Sequence, residues 1–258
     1  MNISILTLFP EMFTGPFDHS IIKNAIKKGL VKITFINIRD FGIGKHKIVD
    51  DKPYGGGKGM IMRIDVLGKA IEEAKKSGRA KQKVILLDPA GKTFNQKKAI
   101  ELSRYSQLIF VCGHYEGVDE RVKEFVDEVI SIGDFVATGG EIPTMLIVDS
   151  IVRLIKNVLP KNVVNEESFS NKVNGKKYLE YPQYTRPEKF KKLTVPKILL
   201  SGNHKAVKKW REEKAVTKTA RCRPDLIERS KTGWQRTHRK QTPRAGINYL
   251  LSKKKEYL

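Results

Sequence analysis

Cysteine is scarce. Cys112 and Cys222 are far apart and lack the paired spacing of a zinc site, which argues against both a disulfide framework and a cysteine-bound metal. Long apolar runs are missing too: no window approaches the roughly 20 residues that a membrane span needs. Met1-Asn2-Ile3-Ser4 has neither the basic segment nor the cleavage site of a secretory leader, so a cytoplasmic protein with reduced thiols is expected. His19, His46, His114, His204 and His238 are scattered without ligand spacing, which points away from a histidine metal centre. Acidic residues run short in one part only. From Lys161 onward 26 basic residues face nine acidic ones, so the last 98 residues carry +17 of the total of +22, and the first 160 carry +5. A basic extension on a nearly balanced segment suggests a polyanionic partner, most simply nucleic acid.

At 258 residues and 40% hydrophobic, the chain can bury a substantial core. Ile3 to Phe9 and Val31 to Ile38 read as strands around a helix at Ile21 to Gly29. Ile64 to Lys76 and Asn95 to Tyr105 read as helices, Val84 to Leu87, Leu108 to Cys112 and Val129 to Ile132 as strands, and Pro143 suits the first turn of a helix through Ile155. Repeated β-loop-α units predict an α/β fold with a mainly parallel sheet and helices on both faces. The strands at Leu108 and Val129 each end in a glycine-bearing loop, Gly113-His114-Tyr115-Glu116-Gly117 and Gly133 to Glu141, and Asp88-Pro89-Ala90-Gly91-Lys92 forms another strand-end loop. Ligands of open α/β sheets sit beyond the carboxyl ends of strands, where glycine lets backbone groups approach closely, so the two glycine loops predict one pocket. Tyr54 to Gly59 is glycine-rich beside Lys58, but its spacing is not that of a Walker A loop and no Ser or Thr follows the lysine. After Pro160 the polar stretch to Lys177 reads as a linker, followed by a basic helix at Asn203 to Thr219 and a basic end from Ser230 broken by Gly233, Pro243 and Gly246.

Phe9-Pro10-Glu11-Met12-Phe13, Val49 to Met60, Cys112 to Arg121, Ser131 to Pro143, Tyr184-Thr185-Arg186-Pro187, Ser201-Gly202-Asn203-His204 and Trp210-Arg211 occur in one order. In that order they resemble the motifs of the bacterial tRNA (guanine-N1)-methyltransferases, of the knotted SPOUT class. The resemblance implies a parallel sheet with a deep trefoil knot, an exception to the rule against threaded connections. It also implies a small helical C-terminal domain, with a donor-binding domain over 1–160, a linker over 161–176 and a basic tRNA-binding domain over 177–258. The implied activity is S-adenosylmethionine-dependent methylation of N1 of the guanine immediately 3′ of the tRNA anticodon, by a homodimer that needs magnesium.

By the same resemblance, donor binding falls to Leu87, Pro89, Gly91, Gly113, Tyr115, Glu116, Gly117, Ile132, Gly133, Asp134, Phe135, Val136, Ala137, Gly139 and Gly140. tRNA contacts fall to Gly57, Gly59, His114, Tyr184, Arg186, His204, Lys208, Trp210 and Arg211, and catalysis to Arg153 and Glu167; no residue is assigned to a metal. The chain departs from the family's usual pattern at Lys58, where proline is usual, at His114, where arginine is usual, and in Tyr181-Pro182-Gln183-Tyr184. It departs again at Glu166-Glu167-Ser168-Phe169, where the family's general base is an aspartate before Ser-Phe. A catalytically silent tRNA-binding relative, or a knotted RNA methyltransferase with another target, are the alternatives.

Removing the residues from Lys177 onward is expected to lose RNA affinity and to flatten the salt dependence of what binding remains. Each lost phosphate contact removes about one unit from the slope of log affinity against log salt. Titrations at several salt concentrations check this, and an unchanged slope contradicts the charge argument.

Overall fold

The computed structural model describes residues 1–76, 81–160, 163–170, 172–173 and 176–228; the basic end from Ser230 lies outside them. Two compact units divide the chain, Met1–Val164 and Asn165–Leu258. In the first, the order is β1 (Asn2–Thr7), α1 (Ser20–Lys27), β2 (Lys32–Asn37), β3 (Asp50–Asp51), β4 (Ile61–Met62), α2 (Ile64–Lys76), β5 (Gln82–Thr93), α3 (Gln96–Leu102), β6 (Gln107–Cys112), β7 (Glu128–Ser131) and α4 (Glu141–Val152). Five of these strands form one sheet in the order β2-β1-β6-β5-β7, with every pairing parallel.

All six residues of β6 are buried, because a central parallel strand is covered on both faces. Its side chains alternate: Leu108, Phe110 and Cys112 join Ile3, Ile5 and the α4 residues Ile147 and Ile151, while Ile109 and Val111 join Leu6, Leu86 and the α2 residues Leu67 and Ala70. Helices therefore cover both faces, as the βαβ pattern predicts. The spacing of Val66, Leu67, Ala70, Ile71 and Ala74 buries one side of α2.

One strand departs from the sequence reading. Asp88-Pro89-Ala90-Gly91 reads as the end of β5, yet the strand continues: Leu87 and Lys92 both pair with Ile130, and the four residues between form a bulge. Gly91 allows this, because a Cβ there would fall 2.6 Å from the backbone of Val129 and Ile130.

Beyond α4 lie α5 (Val163–Glu166), the antiparallel pairs β8 (Lys172–Val173) with β9 (Lys176–Lys177) and β10 (Lys189–Phe190) with β11 (Leu193–Thr194), and the helices α6 (His204–Cys222) and α7 (Pro224–Glu228). The stretch read as a linker thus contains a short helix and a strand pair. Asn203 caps α6, its side chain accepting the Ala206 N–H at 3.1 Å. Buried Thr219 ties α6 to the preceding chain, since its hydroxyl accepts the Leu179 N–H at 2.9 Å.

A compact ion network joins β5, β7 and α3. Glu128 lies 2.7 Å from both Lys83 and Lys98, with the Glu128 side chain 10% exposed and that of Lys83 14%. Burial alone pushes the Glu128 carboxyl up, but the two ammonium groups outweigh it and hold it below its ordinary value of 4.5. Its stabilising contribution is therefore present above that ordinary value and is lost as pH falls through the lower folded one. Glu128→Ala leaves Lys83 without its nearest carboxylate and is expected to cost about 3 kcal/mol in urea unfolding near neutral pH. The deficit against wild type should shrink in acid; a constant deficit contradicts the network.

Candidate active site

The parallel sheet sends the carboxyl ends of β5, β6 and β7 to one edge, and the three loops that follow enclose a single cleft of about 230 Å³. That volume suits an organic ligand rather than an isolated water, whose share of the liquid is about 30 Å³. Leu87, Asp88 and Pro89 line it from β5, and His114, Tyr115, Glu116 and Val118 from the loop after β6. Ile130, Ser131, Ile132, Phe135, Val136, Ala137, Thr138 and Pro143 line it from β7 to α4. Gly113, Gly117, Gly139 and Gly140 complete the wall with backbone. The two glycine loops are joined directly: the Gly140 N–H donates to the Gly113 carbonyl at 2.8 Å. A Cβ at Gly140 would sit 2.7 Å from Cys112 Cα, so glycine permits this approach. Tyr115 holds a left-handed φ of 59° in the cleft wall, a strained conformation for a non-glycine residue.

Most of the residues expected at the donor site thus converge. Gly91, Gly133 and Asp134 do not line the cleft: Gly91 packs on the β7 backbone, Gly133 turns the chain with its carbonyl accepting from Ser131 Oγ at 3.1 Å, and Asp134 is exposed. Asp88, Val118, Ile130, Ser131, Thr138 and Pro143 line it although sequence reasoning did not single them out; their position at strand ends beside glycine was the available signal. Asp119 and Arg121, further along the loop after β6, pair with each other at 2.6 and 2.9 Å. Asp119 also accepts the Arg121 N–H, so it caps the turn beyond the cleft.

The glycine stretch between β3 and β4 borders this region. The Glu116 N–H donates to the Met60 carbonyl at 3.1 Å, and the Met62 N–H to the Gly117 carbonyl at 3.0 Å. Gly59 lies against the Glu116 side chain, where a Cβ would collide, and exposed Gly57 also has a left-handed φ. Lys58 and Tyr54 are exposed on the same loop.

Behind the cleft, Cys112 is fully buried beside Thr144, with Sγ and Oγ1 3.3 Å apart. Burial, and secondarily the charge of Glu141, push its thiol well above its ordinary value, so it is a protonated core group rather than a nucleophile.

Arg153 follows α4 as its half-buried C-cap and belongs to the first unit; Glu167 follows α5 in the second, half-buried, its carbonyl accepting the Ser170 N–H at 3.0 Å. The remaining expected RNA contacts, apart from His114, lie in the second unit. There Tyr184 and Trp210 sit with ring centroids 6.4 Å apart, lining a groove with Lys214, Lys218 and Arg221. Arg211 places its guanidinium 4.7 Å from the centre of the Tyr181 ring. Arg186, His204 and Lys208 are exposed. Aromatic faces beside cations suit bases and phosphates.

A parallel α/β unit with a glycine-walled cleft at its strand ends, followed by a basic unit, defines a ligand-binding α/β protein suited to an RNA substrate. The chain belongs to the tRNA (guanine-1)-methyltransferase TrmD family, whose model matches residues 1–229. It is 53% identical over 231 residues to a tRNA (guanine-N(1)-)-methyltransferase of Dictyoglomus turgidum, covering 89% of this chain and 91% of that protein. A protein of the same name from Carboxydothermus hydrogenoformans is 52% identical over 88% of this chain and 87% of its own length. One from Clostridium botulinum is 53% identical, over 90% and 93%.

A valine side chain at Gly113 would extend into the cleft between Leu87 and Val118, because a Cβ there meets only Val118 at 3.4 Å and the Leu87 carbonyl at 3.7 Å. Gly113→Val is therefore expected to fold while losing at least about tenfold in affinity for S-adenosylhomocysteine, as roughly 1.4 kcal/mol of lost contact implies. Calorimetry checks this, and normal affinity in a folded variant removes the assignment of the cleft.

Proposed function

We propose that this protein transfers the methyl group of S-adenosylmethionine to N1 of the guanine immediately 3′ of a tRNA anticodon. Family membership across residues 1–229 carries this reading, and the convergence of the strand-end loops on one cleft supports the donor assignment. The cleft fits such a donor: Gly113, Gly117 and Gly139 expose backbone groups for ribose and adenine polar atoms, while Leu87, Pro89, Ile132 and Val136 offer apolar walls. When bound, the donor supplies an electrophilic methyl group on a sulfonium.

Two residues then act on the base. N1 of guanine carries a proton, so its lone pair is not available until a base removes it. Glu167 is the general base in this reading; glutamate and aspartate have similar ordinary pKa values, about 4.3 and 3.9, so the chemistry tolerates glutamate where aspartate is usual. As the proton leaves, negative charge spreads to O6, and the guanidinium of Arg153 stabilises it. The basic second unit, with its Tyr184 and Trp210 groove, holds the RNA largely through phosphates.

The reading extends to architecture. Donor binding belongs to 1–160, the connection to 161–176 and RNA binding to 177–258. Family membership across residues 1–229 supports a deep trefoil knot. Met12, Ile142 and Leu146 are 41%, 57% and 48% exposed on the first unit, apolar surface that supports a homodimer. Among the described residues no helix is long and apolar enough to cross a membrane, and we place the protein in the cytoplasm. Magnesium is the expected ion. Among the described residues no group of three His, Cys, Asp or Glu side chains converges to hold it, so no residue is assigned to it. Such an ion commonly keeps several waters and binds through substrate oxygens.

Glu167→Gln is expected to lower turnover by about 10² to 10⁴, the usual share of a general base, with donor affinity unchanged. Arg153→Ala should lower kcat more than it weakens either substrate. Single-turnover transfer of a labelled methyl group to a tRNA transcript checks both. Wild-type turnover in Glu167→Gln with loss in Glu166→Gln moves the base by one residue; an inactive wild type makes the protein a silent tRNA-binding relative.

A further inference from the structure

Glu141 opens α4 at the back of the cleft, and its carboxylate is 1% exposed. A buried carboxylate needs partners, because leaving its charge unsatisfied is costly. One oxygen has a firm one: Thr7 Oγ1 donates to Oε1 at 2.8 Å, while the same hydroxyl accepts the Phe9 N–H at 3.0 Å. The helix N-terminus adds a favourable field. The other oxygen faces a ring. Glu141 Oε2 lies 3.9 Å from Nδ1 of His114, and that nitrogen is buried without a hydrogen-bond partner.

His114 is held on its other sides as well. The Phe9 ring meets it edge-on at 4.9 Å and the Tyr115 ring at 5.1 Å. The ring lines the cleft, and its side chain remains 23% exposed although Nδ1 is buried. Gly139 leaves the gap that lets carboxylate and imidazole face each other. A Cβ at that position would overlap Glu141 Oε2 and lie 2.7 Å from His114 Nδ1.

We infer that Glu141, anchored by Thr7, is a positioning residue that engages Nδ1–H of His114 and so presents Nε2–H to an anionic oxygen of a bound substrate. The carboxylate fixes the ring's orientation, and Nε2 donates once a bound anion completes the two-donor form of the ring. With an anion bound at Nε2, His114 stands where the family usually has arginine. The anionic oxygen is either the carboxylate of the donor's amino-acid portion or a phosphate of the RNA. The inference rests on the proposed methyl transfer, and its readouts include binding as well as turnover.

The test uses the full chain with His114→Gln, Glu141→Gln and the double variant, each checked for folding by thermal unfolding. A charge-assisted hydrogen bond is worth about 1.5 to 3 kcal/mol, so each single variant should lose about tenfold to a hundredfold in affinity for one ligand. The double variant should lose no more than the worse single, since both act through one contact. If the donor carboxylate is the partner, affinity for S-adenosylhomocysteine falls while that for 5′-methylthioadenosine, which lacks the amino acid, does not. If an RNA phosphate is the partner, both nucleosides bind normally, KM for tRNA rises with kcat held, and the salt slope drops by about one. Losses that multiply in the double variant, or singles that bind both substrates like wild type, overturn the inference. Should Glu141→Gln fail to fold, Gly139→Ala decides, because it wedges a methyl group between the two side chains; wild-type affinities there also overturn it. Wild-type turnover measured alongside separates the two failures: an inactive wild type sinks the methyl-transfer reading itself, and an active wild type with unaffected variants sinks only the role of Glu141.

Discussion

Burial of β6 between β1 and β5 is the constraint on which the rest of the first unit depends. Its six residues are all inaccessible to solvent, and burying a large apolar side chain is worth about 1.5 to 3 kcal/mol. A strand buried on both faces demands helices above and below, and those helices require crossovers that keep the strands parallel. Parallel strands end at one edge. The loops after β5, β6 and β7 are therefore delivered side by side, and the cleft follows from core packing.

Glycine sets how closely those loops approach. Gly91 against β7 and Gly140 against Cys112 bring backbone to backbone at distances that a side chain would forbid. The cleft is consequently walled largely by main chain and apolar groups, with Asp88, His114 and Glu116 at its wall and buried Glu141 behind. The second unit has the opposite character. Its groove sets Tyr184 and Trp210 among Lys214, Lys218 and Arg221, so attraction for a polyanion resides there.

The sheet was legible in the sequence because its signals are local. Apolar runs such as Leu108 to Cys112 and the periodicity of Ile64 to Lys76 mark a buried strand and an amphipathic helix within a residue or two of their observed bounds. Much of the cleft was legible for the same reason, since glycine and polar residues at strand ends announce it. What failed depended on distant partners. The turn signal at Asp88 to Gly91 hides a bulge, because only pairing with β7 makes the strand resume at Lys92. Glu141 gave no hint of burial, because its partners Thr7 and His114 lie far away in sequence. Arg153 and Glu167 are proposed on resemblance alone; neither spacing nor polarity distinguishes them from other charged residues near a helix end.

The most direct measurement of the central claim is the position of the methyl group. Purified protein, labelled S-adenosylmethionine, magnesium and a tRNA transcript with guanine immediately 3′ of the anticodon are incubated, and the modified nucleoside is mapped by nuclease digestion and mass spectrometry. The account predicts N1-methylguanine at that one position, and no product when that guanine is replaced by adenine. A methyl group on another base or another atom, or undiminished product from the adenine transcript, contradicts it.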